Sequence, residues 1–359
     1  MSLKITINLT EDSKISSFDA DNIKFGQVFT DHMFACDYIN HEWQNFRIDP
    51  FGKIPLSPTL SALHYGQAIF EGMKAVKNTD GVITLFRPLD NLKRLNQSAV
   101  RMCMPTLSEE IFMEALHKIC SIDKNWIPTK TGSALYIRPF MFATDDFLGV
   151  KPSENYSFMV YACPVNAYYT HALKVRVEEH FTRAAKGGVG AAKCAGNYAA
   201  SMYPTKLAQD LGYDQVLWTD GATHEFFEET GTSNVFVVTD DAVYTPEIND
   251  TLLAGITRDS IIQYLKHEGH QVIETKVSVH QVIDWHKQGK IKEMFVSGTA
   301  ATVTNIELMG YQGQDYTINA TDNLLSKQIL NFFNDIKTLA AKDPFNWVSI
   351  VPSEAVINQ

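Results

Sequence analysis

The stretch Lys186–Tyr198, KGGVGAAKCAGNY, crowds glycine and alanine around one lysine, Lys193. Small side chains let backbone and a flat ligand approach closely. A lysine so placed has little room to reach water, and loss of hydration favours the neutral amine. A neutral amine condenses with an aldehyde to a Schiff base. The same composition also suits a flexible surface loop, so the rest of the chain must decide. Lys193 stands five residues before Tyr198, a spacing that Lys186 does not share.

An aldehyde cofactor such as pyridoxal 5'-phosphate needs more than a lysine. It needs a carboxylate for its pyridine nitrogen, an anion cup, a donor to its ring hydroxyl and a shaped substrate pocket. FFEETGTSN (226–234) offers Glu228 or Glu229 as the carboxylate. LLAGITRDS (252–260) sets Gly255, Ile256 and Thr257 just ahead of a helix expected over Arg258–His267. A helix N-terminus suits a phosphate. Arg94 is the candidate cation opposite it. Tyr198 is the candidate ring-hydroxyl donor. Phe25, Tyr65, Phe70 and Tyr136 supply apolar and aromatic walls. Arg138 interrupts the apolar run LYIRPF, where an arginine either pairs with a carboxylate or reaches the surface. A substrate carboxylate is a natural partner. KGGVG lacks the residue order of a phosphate loop, which weakens a nucleotide-binding reading.

The totals exclude other classes. The 359 residues suffice for two domains with a large core. A net charge of −10 argues against a nucleic-acid or anionic-membrane surface. The five cysteines are scattered, with no CxxC pair and no zinc-ligand spacing, as expected of reduced thiols and no metal site. Cys194 reads as a small buried thiol, because no base is locally identifiable beside it. No apolar run reaches the length of a membrane span, and the N-terminal residues carry no signal-peptide pattern. The expected location is the cytoplasm.

The elements that must position these groups read as α+β, in two domains. Residues 1–60 look irregular, with strand-like pieces over Lys4–Leu9 and Gln27–Tyr38. Val82–Phe86 is a strand, and Pro88 opens a helix with Leu89, Leu92, Leu95, Ala99 and Met102 on one face and Arg94 beside it. Ser108 caps a second helix over Glu109–Cys120. Leu135–Phe142 and Ser157–Cys163 are strands, the latter central. Residues 163–172 look like the domain boundary. Beyond it come the strand LKVRVEE, a helix over Asn197–Leu211 kinked or broken at Pro204, and a strand over Gln215–Thr219. A hairpin follows over Asn234–Val238 and Ala242–Tyr244, then the helix ending at His267 and a strand over His270–Thr275. Ser278 caps a helix to Lys287, Glu293–Ser297 is a core strand, and Phe332–Gln359 is a C-terminal helix and tail.

The chain resembles the branched-chain amino acid aminotransferases, pyridoxal phosphate enzymes of fold type IV. The matching segments run from about Phe25 to beyond Thr304: FGQVFTDHMF, LHYGQAIFEGMKA, LFRPLDNLKR, LYIRPF with FLGV, KGGVGAAKCAGNY, EETGTSN, LAGITR and SGTAATVT. The resemblance implies that Lys193 is the Schiff-base lysine and Glu229 the partner of the pyridine nitrogen. It implies Tyr198 at the ring hydroxyl, Arg94, Ile256 and Thr257 at the phosphate, and Thr232 in support of the cofactor. The N–H groups of Thr299 and Ala300 match those that hold the substrate carboxylate. Phe25, Tyr65, Phe70, Tyr136 and Arg138 match the pocket, and Leu148 and Val150 a loop given to the partner subunit of a homodimer.

The family's fold implies a smaller N-terminal domain (1–165), a linker (166–173) and a larger cofactor-binding domain (174–359), with the cofactor between them. The implied reaction converts leucine, isoleucine or valine with 2-oxoglutarate into branched 2-oxo acids and glutamate. D-amino-acid aminotransferases and aminodeoxychorismate lyases share the fold and are the alternatives within it. A scaffold that binds pyridoxal phosphate without catalysis is the alternative outside enzymes. Animal members carry a CxxC after SGTA where this chain has Ala301 and Thr304, so thiol regulation there is not expected.

Overall fold

The computed structural model describes residues 3–20, 23–166, 171–319 and 324–353. The chain forms two compact units. The first comprises Met1–Tyr168, Ala192–Ala195 and Asn334–Gln359, and the second Tyr169–Ala191 and Gly196–Phe333. The first unit is thus assembled from three pieces of chain, where the sequence suggests one boundary near 166–173. Residues 167–170 of that expected linker lie outside the described residues.

The first unit is built on a nine-stranded sheet. Its centre is the antiparallel pair Ala134–Ala143 and Tyr156–Val165, buried along most of both strands. Their near-continuous apolar sequence is what a strand covered on both faces requires. On one side lie His32–Ile39, Glu42–Pro50 and Thr6–Ile7; on the other lie Met73–Lys77, Ile83–Phe86 and Val348–Ile350. Ala68–Phe70 pairs separately with Ala134–Ala143. The helix Pro88–Arg101 buries Leu92, Leu95 and Ala99 from the expected stripe, but Leu89 is 46% exposed. The helix Glu109–Ile122 is capped as expected, the Ser108 hydroxyl accepting the Ile111 N–H at 3.3 Å.

Two expectations are incomplete in this unit. Residues 1–60 hold a strand that the sequence does not suggest, because Glu42–Pro50 forms a nine-residue strand against His32–Ile39. The C-terminal segment is also more than a helix and tail, since Val348–Ile350 pairs with Ile83–Phe86.

The second unit is also organised by a nine-stranded sheet. Its path runs through Phe227–Thr230, Gln215–Thr219, Leu173–Val177, Thr302–Tyr311, Ile291–Gly298 and Asn234–Thr239, and the last of these pairs back to the first. The residues that close this ring are Glu229 and Asn234. A closed ring leaves no free edge among its members. Val175, Val177, Leu217, Val235, Met294, Val296 and Ile306 pack with Val279, Val282 and Ile283 of the helix Val279–Lys287 in one core.

Three helical expectations change in detail. The helix Ala195–Asp210 continues through Pro204 without a break. Pro204 removes one hydrogen bond to the carbonyl of Ala200, and Ala200 is exposed where water can replace it. The next helix starts at Ile256 rather than Arg258, with Gly255 as its cap residue, so Ile256 and Thr257 form its first turn. Ser278 occupies the cap position of Val279–Lys287 but makes no side-chain capping bond. No helix among the described residues is long and apolar enough to cross a membrane.

Candidate active site

Lys193 belongs to the first unit and is held there by its own backbone. Its N–H donates to Ser98 Oγ at 2.9 Å, and its carbonyl accepts the Phe70 N–H at 3.0 Å. Cys194 adds an antiparallel bridge to Ile69. KGGVGAAKCAGNY is therefore no loose loop at this point: Lys193 is stitched beside the strand Ala68–Phe70. Its Nζ lies 5.0 Å from the Phe70 ring centre. The Arg138 guanidinium is 4.5 Å from the same centre and donates from Nη2 to the Tyr136 hydroxyl at 3.0 Å. Phe25 meets Tyr136 edge-on, with ring centres 5.2 Å apart. Phe25, Phe70, Tyr136, Arg138 and Lys193 thus form one cluster of aromatic walls and cationic groups.

Glycine at position 72 is required here, since a Cβ would overlap the Tyr136 hydroxyl. Tyr65, Leu148 and Val150 are exposed, at 43%, 61% and 88%.

Arg94 does not lie to the side of its helix stripe as the sequence suggests; it is 7% exposed and turned inward. Its Nε donates to Glu71 Oε1 at 2.7 Å and its Nη2 to Glu71 Oε2 at 2.9 Å. Glu71 is fully buried. Two parallel bonds fix the plane of the guanidinium, so a phosphate would meet it in one orientation. Sequence reading missed Glu71. The signal was there: a lone carboxylate in the apolar run AIFEGM calls for a cation, just as Arg138 in its apolar strand calls for an anion.

In the second unit the strand Phe227–Thr230 carries Glu228 and Glu229, both buried. Glu229 Oε1 is 2.8 Å from Arg183 Nη2, and its Oε2 accepts from Asn234 Nδ2 at 3.2 Å. One cation and one amide hold this carboxylate from two sides. Arg183 and Asn234 were both missed in the sequence, because nothing local marks a partner that folding brings from 46 or 5 residues away. Asn234 also donates to the Leu253 carbonyl at 3.1 Å, which ties Glu229 to the segment before Gly255. A Cβ on Gly255 would overlap Asn234 Oδ1, so only glycine lets the helix start against that amide. The N–H groups in the first turn of a helix have no partner within it, so the Ile256–Thr257 turn has donors that suit an anion.

One glycine of KGGVG lets backbone approach closely, as its size suggests. A Cβ on Gly190 would lie 2.7 Å from the Thr251 Cα, so this glycine admits the Thr251 backbone. Tyr198 is half-buried in the first turn of Ala195–Asp210. Thr232 is exposed in the turn after the glutamates, and Thr299 and Ala300 are half-buried in the turn after Ile291–Gly298. The first unit therefore offers an amine and a braced guanidinium, and the second a helix N-terminus and a carboxylate held by a cation and an amide. Groups of these kinds suit an aldehyde, a phosphate and a ring nitrogen, the parts of pyridoxal phosphate. Among the described residues no group of three or more His, Cys, Asp or Glu could hold a metal ion.

Residues 68–308 match the amino-transferase class IV family. The chain is 41% identical over 352 residues to the branched-chain-amino-acid aminotransferase 2 of Bacillus subtilis (strain 168), covering 97% of each protein. Among solved structures it is similar to the branched-chain amino acid aminotransferase from Escherichia coli, with TM-score 0.70 at 27% identity, covering 89% of this chain and 99% of that one. It shares its fold with the branched-chain amino acid aminotransferase from Thermobaculum terrenum in its PLP form, with TM-score 0.74 at 22% identity, covering 90% and 98%.

Proposed function

Since the chain belongs to the class IV amino-transferases, we propose that Lys193, Arg94, Tyr198, Glu229, Thr232, Ile256 and Thr257 hold one pyridoxal 5'-phosphate. The reaction is the transamination of leucine, isoleucine and valine with 2-oxoglutarate. The relatives' names favour this substrate class over D-amino acids or aminodeoxychorismate. The observation that carries the catalytic assignment is the backbone clamp on Lys193, which aims one amine from a fixed position beside Phe70.

Bound by these residues, the cofactor supplies an aldehyde for the amino group and a ring that draws electron density from the substrate Cα. Lys193 would be its point of attachment, and its amine would take the proton from the substrate Cα. Glu229 accepts the hydrogen on the ring nitrogen, and its two donors keep it in place to do so. Tyr198 donates to the ring hydroxyl. Arg94 and the Ile256–Thr257 turn take the phosphate, with Thr232 in support. The N–H groups of Thr299 and Ala300 take the substrate α-carboxylate. Phe25, Tyr65, Phe70 and Tyr136 exclude water around a branched side chain. Arg138 and the Tyr136 hydroxyl take the second carboxylate when glutamate is the donor.

The exposure of Leu148 and Val150 supports their burial by a second copy of the chain, and hence a homodimer. The five free cysteines support a reducing compartment, and we place the protein in the cytoplasm. Lys193→Ala tests the central assignment. Turnover of leucine with 2-oxoglutarate falls about a hundred- to ten-thousandfold or more, and wild-type turnover in that variant would refute it.

A further inference from the structure

Glu228 neighbours the carboxylate assigned to the cofactor ring, yet the mechanism above gives it no task. It is 4% exposed. Consecutive residues of a strand point to opposite faces, and Glu228 meets a different set of partners from Glu229. Its Oε1 is in hydrogen-bond contact with the Thr251 hydroxyl. Its Oε2 is buried with no hydrogen-bond partner among the described residues.

The hydrogens around Thr251 reveal the state of this acid. The Thr251 hydroxyl oxygen also lies 2.7 Å from Asn249 Oδ1. That atom is the amide oxygen, because it accepts the Thr251 N–H at 2.8 Å. A hydroxyl has one hydrogen to give. If it goes to one acceptor, the other contact sets two bare oxygens together, unless Glu228 brings a hydrogen of its own. A protonated Glu228 satisfies both contacts: it donates to Thr251, and Thr251 donates to Asn249. The unpartnered Oε2 agrees, since burying an ionised carboxylate without a donor is far costlier than burying a carbonyl oxygen.

Thr251 in turn supports the clamp on Glu229. Its carbonyl accepts from Arg183 Nη2, which also reaches the Gly190 carbonyl at 3.3 Å and Glu229 Oε1 at 2.8 Å. We propose that Glu228 is a positioning residue that carries its own proton below neutral pH, donating to Thr251 and so bracing the carbonyl against which Arg183 holds Glu229. The functional part of this inference rests on the assignment of Glu229 to the cofactor. The charged groups facing Glu228 are Arg183, Glu229 and Asp220. Burial, with repulsion from the two carboxylates, outweighs Arg183 and Thr251 and raises the Glu228 acid to about 7. Above that pH the proton leaves for solvent, the chain through Thr251 loses its first donor, and a second anion competes for Arg183.

Two variants separate the possibilities. Glu228→Gln keeps a donor and cannot ionise, while Glu228→Met fills the space without one. In the apoprotein, infrared spectroscopy at pH 6 should show a carboxylic-acid band that Glu228→Gln lacks and that fades as pH rises through about 7. Pyridoxal phosphate affinity, titrated from pH 6 to 8.5, should weaken in the wild type relative to Glu228→Gln by about three- to tenfold, the effect of one lost bond in a buried network. Glu228→Met should bind weakly throughout.

A wild-type spectrum without the Glu228-dependent band overturns the protonated state. A wild-type to Glu228→Gln affinity ratio that does not change with pH overturns the brace. Glu229→Gln tells the two readings apart. If that variant binds cofactor and turns over like wild type, the cofactor assignment falls and takes the functional half of the inference with it. The apoprotein band still decides whether Glu228 holds a proton.

Discussion

Arg94 and Glu71 face each other through two bonds of 2.7 and 2.9 Å, with the carboxylate wholly buried. Neither charge is tolerable alone in that position. Glu71→Gln removes the negative charge from this buried pair, and the apoprotein should lose about 3–5 kcal/mol of unfolding free energy. The tilt of Arg94 is lost as well, so pyridoxal phosphate affinity should fall about tenfold. Urea unfolding and a cofactor titration read the two effects separately. Loss of stability with unchanged affinity would remove Arg94 from the phosphate site.

A parallel case holds in the second unit, where Arg183 and Glu229 are each 7% exposed in their side chains. Arg183→Met strands the buried carboxylate and should destabilise the protein by about 3–5 kcal/mol. Adding Glu229→Gln to that variant removes the stranded charge and should recover most of the loss. A double-mutant cycle in chemical denaturation measures the coupling, and additive effects would contradict a direct pair.

The substrate cluster makes a steric prediction. Gly72→Ala drives a methyl group into the Tyr136 hydroxyl that Arg138 holds. Tyr136 must turn, and its bond to Arg138 goes with it. KM for glutamate should rise about tenfold, the size expected for a lost bond to a charged group, while KM for leucine changes less. Steady-state kinetics with the two donors checks this. Equal increases would show that the pocket is merely deformed.

Lys337 gives a prediction in pH. Burial, together with the charge of Lys74, lowers its ammonium to about 7, and its Nζ sits 4.5 Å from the Phe86 ring centre. The unfolded chain holds that proton to a far higher pH, so between neutrality and about pH 10 the unfolded state binds more protons. Stability contributed through Lys337 therefore rises with pH across that window and is lowest at and below neutral pH. Lys337→Met should stabilise the protein more at pH 6 than at pH 10. Melting temperatures of both proteins at the two values test it, and a difference independent of pH refutes it.

Much of the candidate site was legible because its residues are odd where they stand. Lys193 is a charge among glycines and alanines, and Arg138 a charge in an apolar strand. The helices Pro88–Arg101 and Glu109–Ile122 announced themselves by a 3.6-residue apolar repeat and by Pro88 and Ser108 at their starts. What stayed hidden depends on long-range pairing. Glu42–Pro50, EWQNFRIDP, is too polar to read as a strand alone and becomes one through His32–Ile39. Thr302–Tyr311 was not recognised, although it sits between Leu173–Val177 and Ile291–Gly298 in the second sheet. Glu71, Arg183 and Asn234 were missed for the same reason: each matters only through a partner that the fold supplies.

The pairing of Val348–Ile350 with Ile83–Phe86 has a consequence for synthesis on the ribosome. The strand that covers this side of the first sheet is separated from its neighbour by more than 250 residues and is made after all of them. Until it emerges, Ile83–Phe86 is a bare edge able to recruit strands from other nascent chains. This side of the first unit is therefore sealed only after the chain of the second unit has been made, and truncation before Val348 should show itself as aggregation in newly made protein.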